Sequence, residues 1–288
     1  MLMSPYLIQG PAVISFSGGR TSGYMLRQIM DAHGGRLPND VRVVFCNTGK
    51  EHQETLDFVQ ECAERWEARI TWLEYRWEPG RHFYEVVNHN SASRNGEPFK
   101  AVIAARQFLP NPVNRFCSIE MKIRTTSRWV RAALGWAHWL SVIGLRADEP
   151  RRVAKTRARN EGGKDRFETD VPLARAGVTK AIVKAFWDEQ PFDLRLPNIN
   201  GVTPDGNCDG CFMKGFQNLL GAIRDGRLDP EWWIKEEAEA PGFGKMRKPE
   251  MALFRADRPS YAAMKKLAFD QGNLEFTDES ALDCACTD

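Results

Sequence analysis

The sequence predicts an α/β protein: a parallel twisted sheet flanked by helices, followed by a mainly helical C-terminal part. Three observations carry that expectation. Short apolar, β-branched runs at Val13–Phe16, Val41–Cys46, Ile70–Glu74 and Trp139–Gly144 read as strands. Helical patterns at Thr21–Ala32 and Glu54–Trp66 alternate with them, as they do in a parallel sheet covered on both faces. From about Cys208 onward the pattern offers helices and no convincing strand. The expected organisation is residues 1–206 as an α/β domain and 207–288 as a cysteine-containing, mainly helical region.

The first strand runs into Ser15-Phe16-Ser17-Gly18-Gly19-Arg20-Thr21-Ser22. Gly18 and Gly19 let the backbone turn tightly and approach a ligand closely. The loop opens a helix, so unpaired N–H groups and the positive end of the helix dipole face whatever sits there. Ser17, Thr21 and Ser22 add hydroxyls, and Arg20 adds a charge. The stretch reads as an oxyanion cradle for phosphate or sulfate; the plain alternative is a βα turn with a serine cap. It matches neither G-x-x-x-x-G-K-[ST] nor G-x-G-x-x-G.

The helix that follows ends at His33-Gly34-Gly35. The second strand ends at Asn47-Thr48, at the strand edge that faces ligands in open α/β sheets. The fourth expected strand leads into Gly144-Leu145-Arg146-Ala147-Asp148-Glu149-Pro150. Arg146 offers a planar fork suited to phosphate or sulfate. Asp148 and Glu149 could orient the arginines or hold a divalent ion such as Mg2+. Polar, proline-broken residues 88–114 read as a lid-like excursion, and basic residues 151–166 as a flexible loop. Thr179–Trp187 reads as a short helix.

The 288 residues are 42% hydrophobic with a net charge of +2. No apolar run approaches the roughly 18 residues of a membrane span, and no signal peptide is evident, so a cytoplasmic protein is expected. The near-neutral balance argues against wholesale coating of nucleic acid but leaves room for a local basic patch. Trp232-Trp233, near the basic stretch Lys245–Lys248, could stack on a polynucleotide or simply pack.

Seven cysteines without a secretory leader favour metal or redox chemistry over a disulfide framework. Cys46 and Cys62 sit in patterned segments and read as core thiols. Cys208-Asp209-Gly210-Cys211 is a C-x-x-C in a loop. Cys117 lies near Arg115, Lys122 and Arg124, cations that favour thiolate. Cys284-Ala285-Cys286 lies in a polar tail. Cys117, Cys208, Cys211 and one tail cysteine, Cys284 or Cys286, could supply four thiolates. That set suits an iron–sulfur cluster or zinc; a redox dithiol or plain thiols are the other readings. The tail pair could equally be a mobile nucleophile.

These residues resemble a known family. Ser17–Ser22 resembles the pyrophosphate (PP) loop of the adenine-nucleotide α-hydrolase-like superfamily. Phe45-Cys46-Asn47-Thr48-Gly49 with Glu54-Thr55, Gly144–Glu149, and Asp170-Val171-Pro172-Leu173 with Phe186-Trp187 resemble elements of its phosphoadenosine-phosphosulfate (PAPS) reductase family, in their order. The chain looks most like phage and prophage members, over about residues 12–215. The resemblance implies an adenine nucleotide (PAPS, adenylyl sulfate or ATP) bound by Ser15, Ser17, Gly18, Gly19, Arg20, Thr21, Ser22, Asn47, Thr48, Gly144, Arg146 and Glu149. It implies a [4Fe-4S] cluster on Cys117, Cys208, Cys211 and Cys284. Arg20 and Arg146 would stabilise charge, with Cys284 or Cys286 as nucleophile. Thr21 and Asn47 stand where ATP pyrophosphatases carry Asp, and the C-terminal Cys-Gly-x-His of adenylyl-sulfate reductases is absent. Three functions remain open: PAPS or adenylyl-sulfate reduction with a thiol donor such as thioredoxin, ATP-dependent sulfur transfer to tRNA, DNA or a small molecule, and nucleotide binding without turnover.

Overall fold

The computed structural model describes residues 4–245 and 252–270. Cys284 and Cys286 lie outside the described residues.

Six strands form one sheet in the order β4-β3-β2-β1-β5-β6. They are β1 (Ala12–Ser15), β2 (Val41–Asn47), β3 (Ile70–Glu78), β4 (Arg81–Val87), β5 (Trp139–Val142) and β6 (Phe167–Asp170). All neighbours pair in parallel except β3 and β4, which form an antiparallel hairpin at one edge. Alternation along the strands divides the two faces. Ala12, Ile14, Val43 and Phe45 face a core closed by α1 (Arg20–Ala32), α2 (Gln53–Arg65) and a later helix, Lys180–Asp188, through residues such as Met25, Ile29, Leu56, Phe58 and Trp187. Val13 and Val44 face the opposite side, where Trp129 and Val130 cover them.

Those two residues belong to a helix over 116–134 whose ladder opens into wider π turns at Ile119–Arg124 and Val130–Leu134. In chain order the helices between are α3 (Glu97–Arg106), α4 (116–134), α5 (Pro150–Glu161), α6 (Pro172–Arg175) and α7 (Lys180–Asp188). The C-terminal part supplies α8 (Phe216–Arg224), α9 (Glu231–Glu239) and α10 (Tyr261–Asp270). Its apolar residues join Tyr75, Phe99, Val102 and Met121 in one cluster, so packing crosses position 206 without a break.

Two expectations are corrected. Residues 88–114 are no simple lid: α3 lies within them and buries Phe99, Val102 and Ile103. Residues 151–166 are mostly helix α5, not a loop. Pro98, read as a breaker, sits in the first turn of α3, where its missing N–H costs nothing, and the polar, basic run read as a loop forms α5, opened in the same way by Pro150. Strands β4 and β6 escaped the pattern, and the strand expected fourth is β5. Trp233 is fully buried and stacks on Tyr261, with ring centroids 5.2 Å apart, while Trp232 packs against Phe99. Of the two readings of this pair, packing is the one the contacts support: Trp233 is core and Trp232 is half-buried against it. Among the described residues no helix is long and apolar enough to cross a membrane.

Candidate functional site

The loop between β1 and α1 is built around Gly18. Its φ is +79°, and a Cβ there would lie 2.6 Å from Thr55 Cγ2. Only glycine therefore allows the chain to pass so close to α2. The Ser17 amide donates to Ser22 Oγ at 3.2 Å, and the two hydroxyls lie 2.9 Å apart. α1 has no side-chain cap and no acidic residue in its first turn. Its leading amides thus open onto a polar cavity lined by Ser17, Gly18, Gly19, Thr21, Arg146 and Lys180.

Arg146 reaches this cavity from the loop after β5 and donates from Nη1 to Thr21 Oγ1 at 3.1 Å. Asp148 Oδ1 accepts from Arg146 Nε at 2.9 Å, and Glu149 Oε2 accepts the Arg146 amide at 3.0 Å. Asp148 thus orients the Arg146 side chain, while Glu149 holds the loop's backbone and pairs with Arg152. Arg20 differs from expectation. Its Nε donates to Asp193 at 2.7 Å, its Nη1 to Thr203 at 2.7 Å, and its Nη2 to the carbonyls of Leu194 and Leu196. It borders the cavity but spends its donors tying residues 193–203 to α1.

A second cavity, of about 420 Å³, opens on the sheet face beneath α4 and α5. Ser15, Val44, Cys46, Trp139, Ile143 and Phe167 form part of its wall. Cys46, expected in the core, is half-buried here, and burial pushes its thiol above the usual range. Ser17 lines both cavities. Gly144 lines neither, although Ile143 and Leu145 beside it do line the larger one.

Cys117, Cys208 and Cys211 line a third, small cavity together with Thr48, Arg115 and Lys122. The C-x-x-C loop is held from several sides. Gly210 has φ +67°, and a Cβ there would lie 2.5 Å from Trp233 Nε1. Trp233 donates to the Asp209 carbonyl at 3.0 Å, Tyr261 donates to the Gly210 carbonyl, and Cys208 bridges Glu51. Thr48 Oγ1 lies 3.3 Å from Cys208 Sγ, so Thr48 serves the cysteine cavity, not the two larger ones. Asn47 is wholly buried and donates to Glu74 at 2.6 Å and to the Ser93 carbonyl at 2.8 Å. Lys214, which the sequence did not single out, is half-buried beside this loop; burial pulls its ammonium below the usual lysine range, with Cys211 and Asp209 acting in the opposite direction. Among the described residues, no group of three or more His, Cys, Asp or Glu side chains is gathered tightly enough to hold a metal ion as it stands.

The three cavities share walls. Asn207 lines both the cradle and the cysteine cavity. Arg115, Ser118 and Lys122 line both the sheet-face cavity and the cysteine cavity.

The helix that brings Cys117 and Lys122 here is clamped by Glu120, which is 1% exposed. Its carboxylate accepts from Arg106, Arg124 and Arg128. Burial would raise its pKa, but the Arg128 hydrogen bond and the neighbouring guanidinium charges outweigh it and hold the carboxyl below the usual glutamate range. The folded-state pKa is depressed, so its contribution is full above that range and is lost as pH falls through the depressed value. Glu120→Gln is expected to cost roughly 2 kcal/mol near neutrality, less than the ~3–5 kcal/mol of a fully buried pair because the arginines reach solvent. Urea melts should show this gap close in acid; an equal gap at both pH values would refute the assignment.

A mostly parallel α/β sheet, a glycine–serine loop opening its first helix, and an arginine-bearing loop from a neighbouring strand define the architecture of a nucleotide-binding protein. The phosphoadenosine phosphosulfate reductase domain matches residues 11–174, and the chain belongs to that family, which is related to sulfur metabolism. It is 30% identical over 220 residues to an "Uncharacterized nin region protein ORF290" of Escherichia phage lambda, covering 74% of this chain and 69% of that protein. A solved structure of phosphoadenylyl-sulfate (PAPS) reductase from Candida auris, a phosphate complex, is similar over 65% of this chain and 79% of that one, at 14% identity and a TM-score of 0.41.

Proposed function

We propose that the protein is an enzyme of sulfur chemistry that binds an adenine nucleotide beside a cysteine-held [4Fe-4S] cluster. The observation that supports this reading is the sharing of walls among the three cavities. The phosphate or sulfate end of the nucleotide rests on the α1 amides, with Arg146, Lys180 and Lys184 around it. The adenosine extends past Ser17 into the sheet-face cavity.

Cys117, Cys208 and Cys211 would hold the cluster, with Cys284 or Cys286 as fourth ligand. Thiols without histidine suit that group. The free space is about 20 Å³, roughly one water's worth, so Met213 or another wall residue must yield for a cluster; a single zinc needs less room. When bound, a cluster supplies a redox-active, charged centre beside the reacting sulfur.

The first reading of the reaction is PAPS or adenylyl-sulfate reduction. A tail cysteine thiolate attacks the sulfate sulfur, the S–O bond to the nucleotide phosphate breaks, and the nucleotide leaves with that oxygen. A dithiol donor such as thioredoxin then reduces the resulting S-sulfonate by two electrons and releases sulfite. The second reading is ATP-dependent sulfur transfer to a polymer, which the basic helix α5 beside the cavity favours. Sulfite release from PAPS with thioredoxin supports the first, and pyrophosphate release from ATP with an RNA or DNA acceptor supports the second. Nucleotide binding with neither product would leave a binding module. In titration calorimetry, Arg146→Ala is expected to weaken nucleotide binding about 10- to 100-fold, the loss of a hydrogen bond to a charged group; unchanged affinity would remove Arg146 from the site.

A further inference from the structure

Helix α5 carries more positive charge than its ion pairs, Arg152 with Glu149 and Arg159 with Asp165, take up. Residues 151–166 hold seven Lys and Arg against Glu161 and Asp165, a surplus of five positive charges in a chain whose net is +2. Arg151, Lys155 and Arg159 follow one another at four-residue steps, so they form one row on one side of the helix. Like charges at that spacing destabilise a helix, and Arg151 also sits near its positive end, in a first turn without an acidic residue. Val153 is the helix's one buried residue. Arg159 pairs with Asp165, while Arg151 and Lys155 make no ion pair among the described residues.

The row runs along the rim of the sheet-face cavity, whose wall includes Lys155 and Arg159. The nucleotide's anionic end does not need these cations, because the cradle on the other side of Ser17 has Arg146, Lys180 and Lys184. No large apolar residue of α5 is exposed, so whatever docks there is recognised by charge alone. The cations repeat about every 6 Å along the helix axis and span about 12 Å, a regular track for a regularly charged backbone.

We propose that α5 is the docking surface for a nucleic-acid strand, whose phosphates lie along Arg151, Lys155 and Arg159 at the cavity mouth. The proposal deepens, and rests on, the sulfur-transfer reading, because it names the acceptor as a nucleic acid. It also puts the polynucleotide contact on a helix first read as a loop, and not on the packed pair Trp232-Trp233.

The test measures binding without turnover, so failure of the reaction and failure of the surface are distinguishable. Fluorescence anisotropy is recorded with labelled mixed-sequence RNA and DNA, single-stranded and duplex, across about 50–200 mM salt. The full chain should bind at least one of them with a strongly salt-dependent constant. Substituting Arg151→Gln, Lys155→Gln and Arg159→Gln together should weaken binding about 10- to 100-fold near 0.1 M salt and reduce the log–log salt slope by about 2. Arg151→Gln alone, outside the cavity wall, should reduce that slope by about 0.7. Arg36→Gln, on an exposed loop before β2, should change neither. Circular dichroism should show the triple variant at least as helical as the parent, since like charges are removed. Binding unchanged in the triple variant, equal loss in Arg36→Gln, or equal affinity for poly-glutamate would overturn the proposal. The preferred polymer identifies whether RNA or DNA is the acceptor.

Discussion

If the proposed cluster is held as assigned, serine in place of Cys117, Cys208 or Cys211 should in each case abolish iron binding and the broad visible absorbance that a cluster gives. A serine hydroxyl stays protonated near neutrality and is a poor ligand for iron, and the site has no histidine to replace a lost thiolate. The three thiols come from two parts of the chain, α4 and the C-x-x-C loop, so each substitution opens a different side of the same cavity. Cys62→Ser is the matched control. Cys62 is wholly buried on α2 in the other core, so its loss should lower stability and leave iron content untouched. Iron retained in full by all three variants would remove the cysteine cavity from the account.

Gly18→Ala is expected to abolish measurable nucleotide binding while the fold persists. Two effects add. A φ of +79° costs an alanine roughly 1–2 kcal/mol, and its Cβ would meet Thr55 Cγ2 at 2.6 Å and Val59 Cγ2 at 3.1 Å. The contacts come from α2, whose inner face is packed in the core, so the loop must move instead, and the α1 amides with it. An affinity loss of 100-fold or more should accompany a melting-temperature drop of about 2–4 °C for each kcal/mol of strain. Gly19→Ala separates the two effects: its Cβ would find only Ser17 Oγ, at 3.6 Å, and no positive φ, so it should bind far better than Gly18→Ala.

The alternation β1-α1-β2-α2-β3 was legible because each strand buries a β-branched run and each helix shows an apolar stripe. What escaped had weak local signals. β6 is only four residues, Phe-Glu-Thr-Asp, with one apolar member. β4 lies at the sheet edge and is largely exposed, so it needs no apolar alternation. α3 hid behind Pro98, which opens a helix as readily as it closes one, and α5 behind a polar, basic, glycine-containing composition. Within the site, Arg20 looked like a ligand for the anion because it sits in the cradle; its partner Asp193 lies 173 residues away and leaves no trace in the local pattern. Lys214 likewise becomes notable only once folding brings it, half-buried, near Cys208, Cys211 and Asp209. Thr48 stands at the strand end that faces ligands, yet turns its hydroxyl to Cys208 because the C-x-x-C loop pairs against Glu51 there.

The central claim is that an adenine nucleotide and a cysteine-held cluster occupy adjoining cavities of one chain. Anaerobic purification followed by iron, acid-labile sulfide and zinc analysis, with titration of PAPS and ATP, tests it most directly. The account predicts iron and sulfide in equal amounts, and saturable binding of at least one of the two nucleotides. Colourless protein with stoichiometric zinc, or protein that binds neither nucleotide, would contradict it.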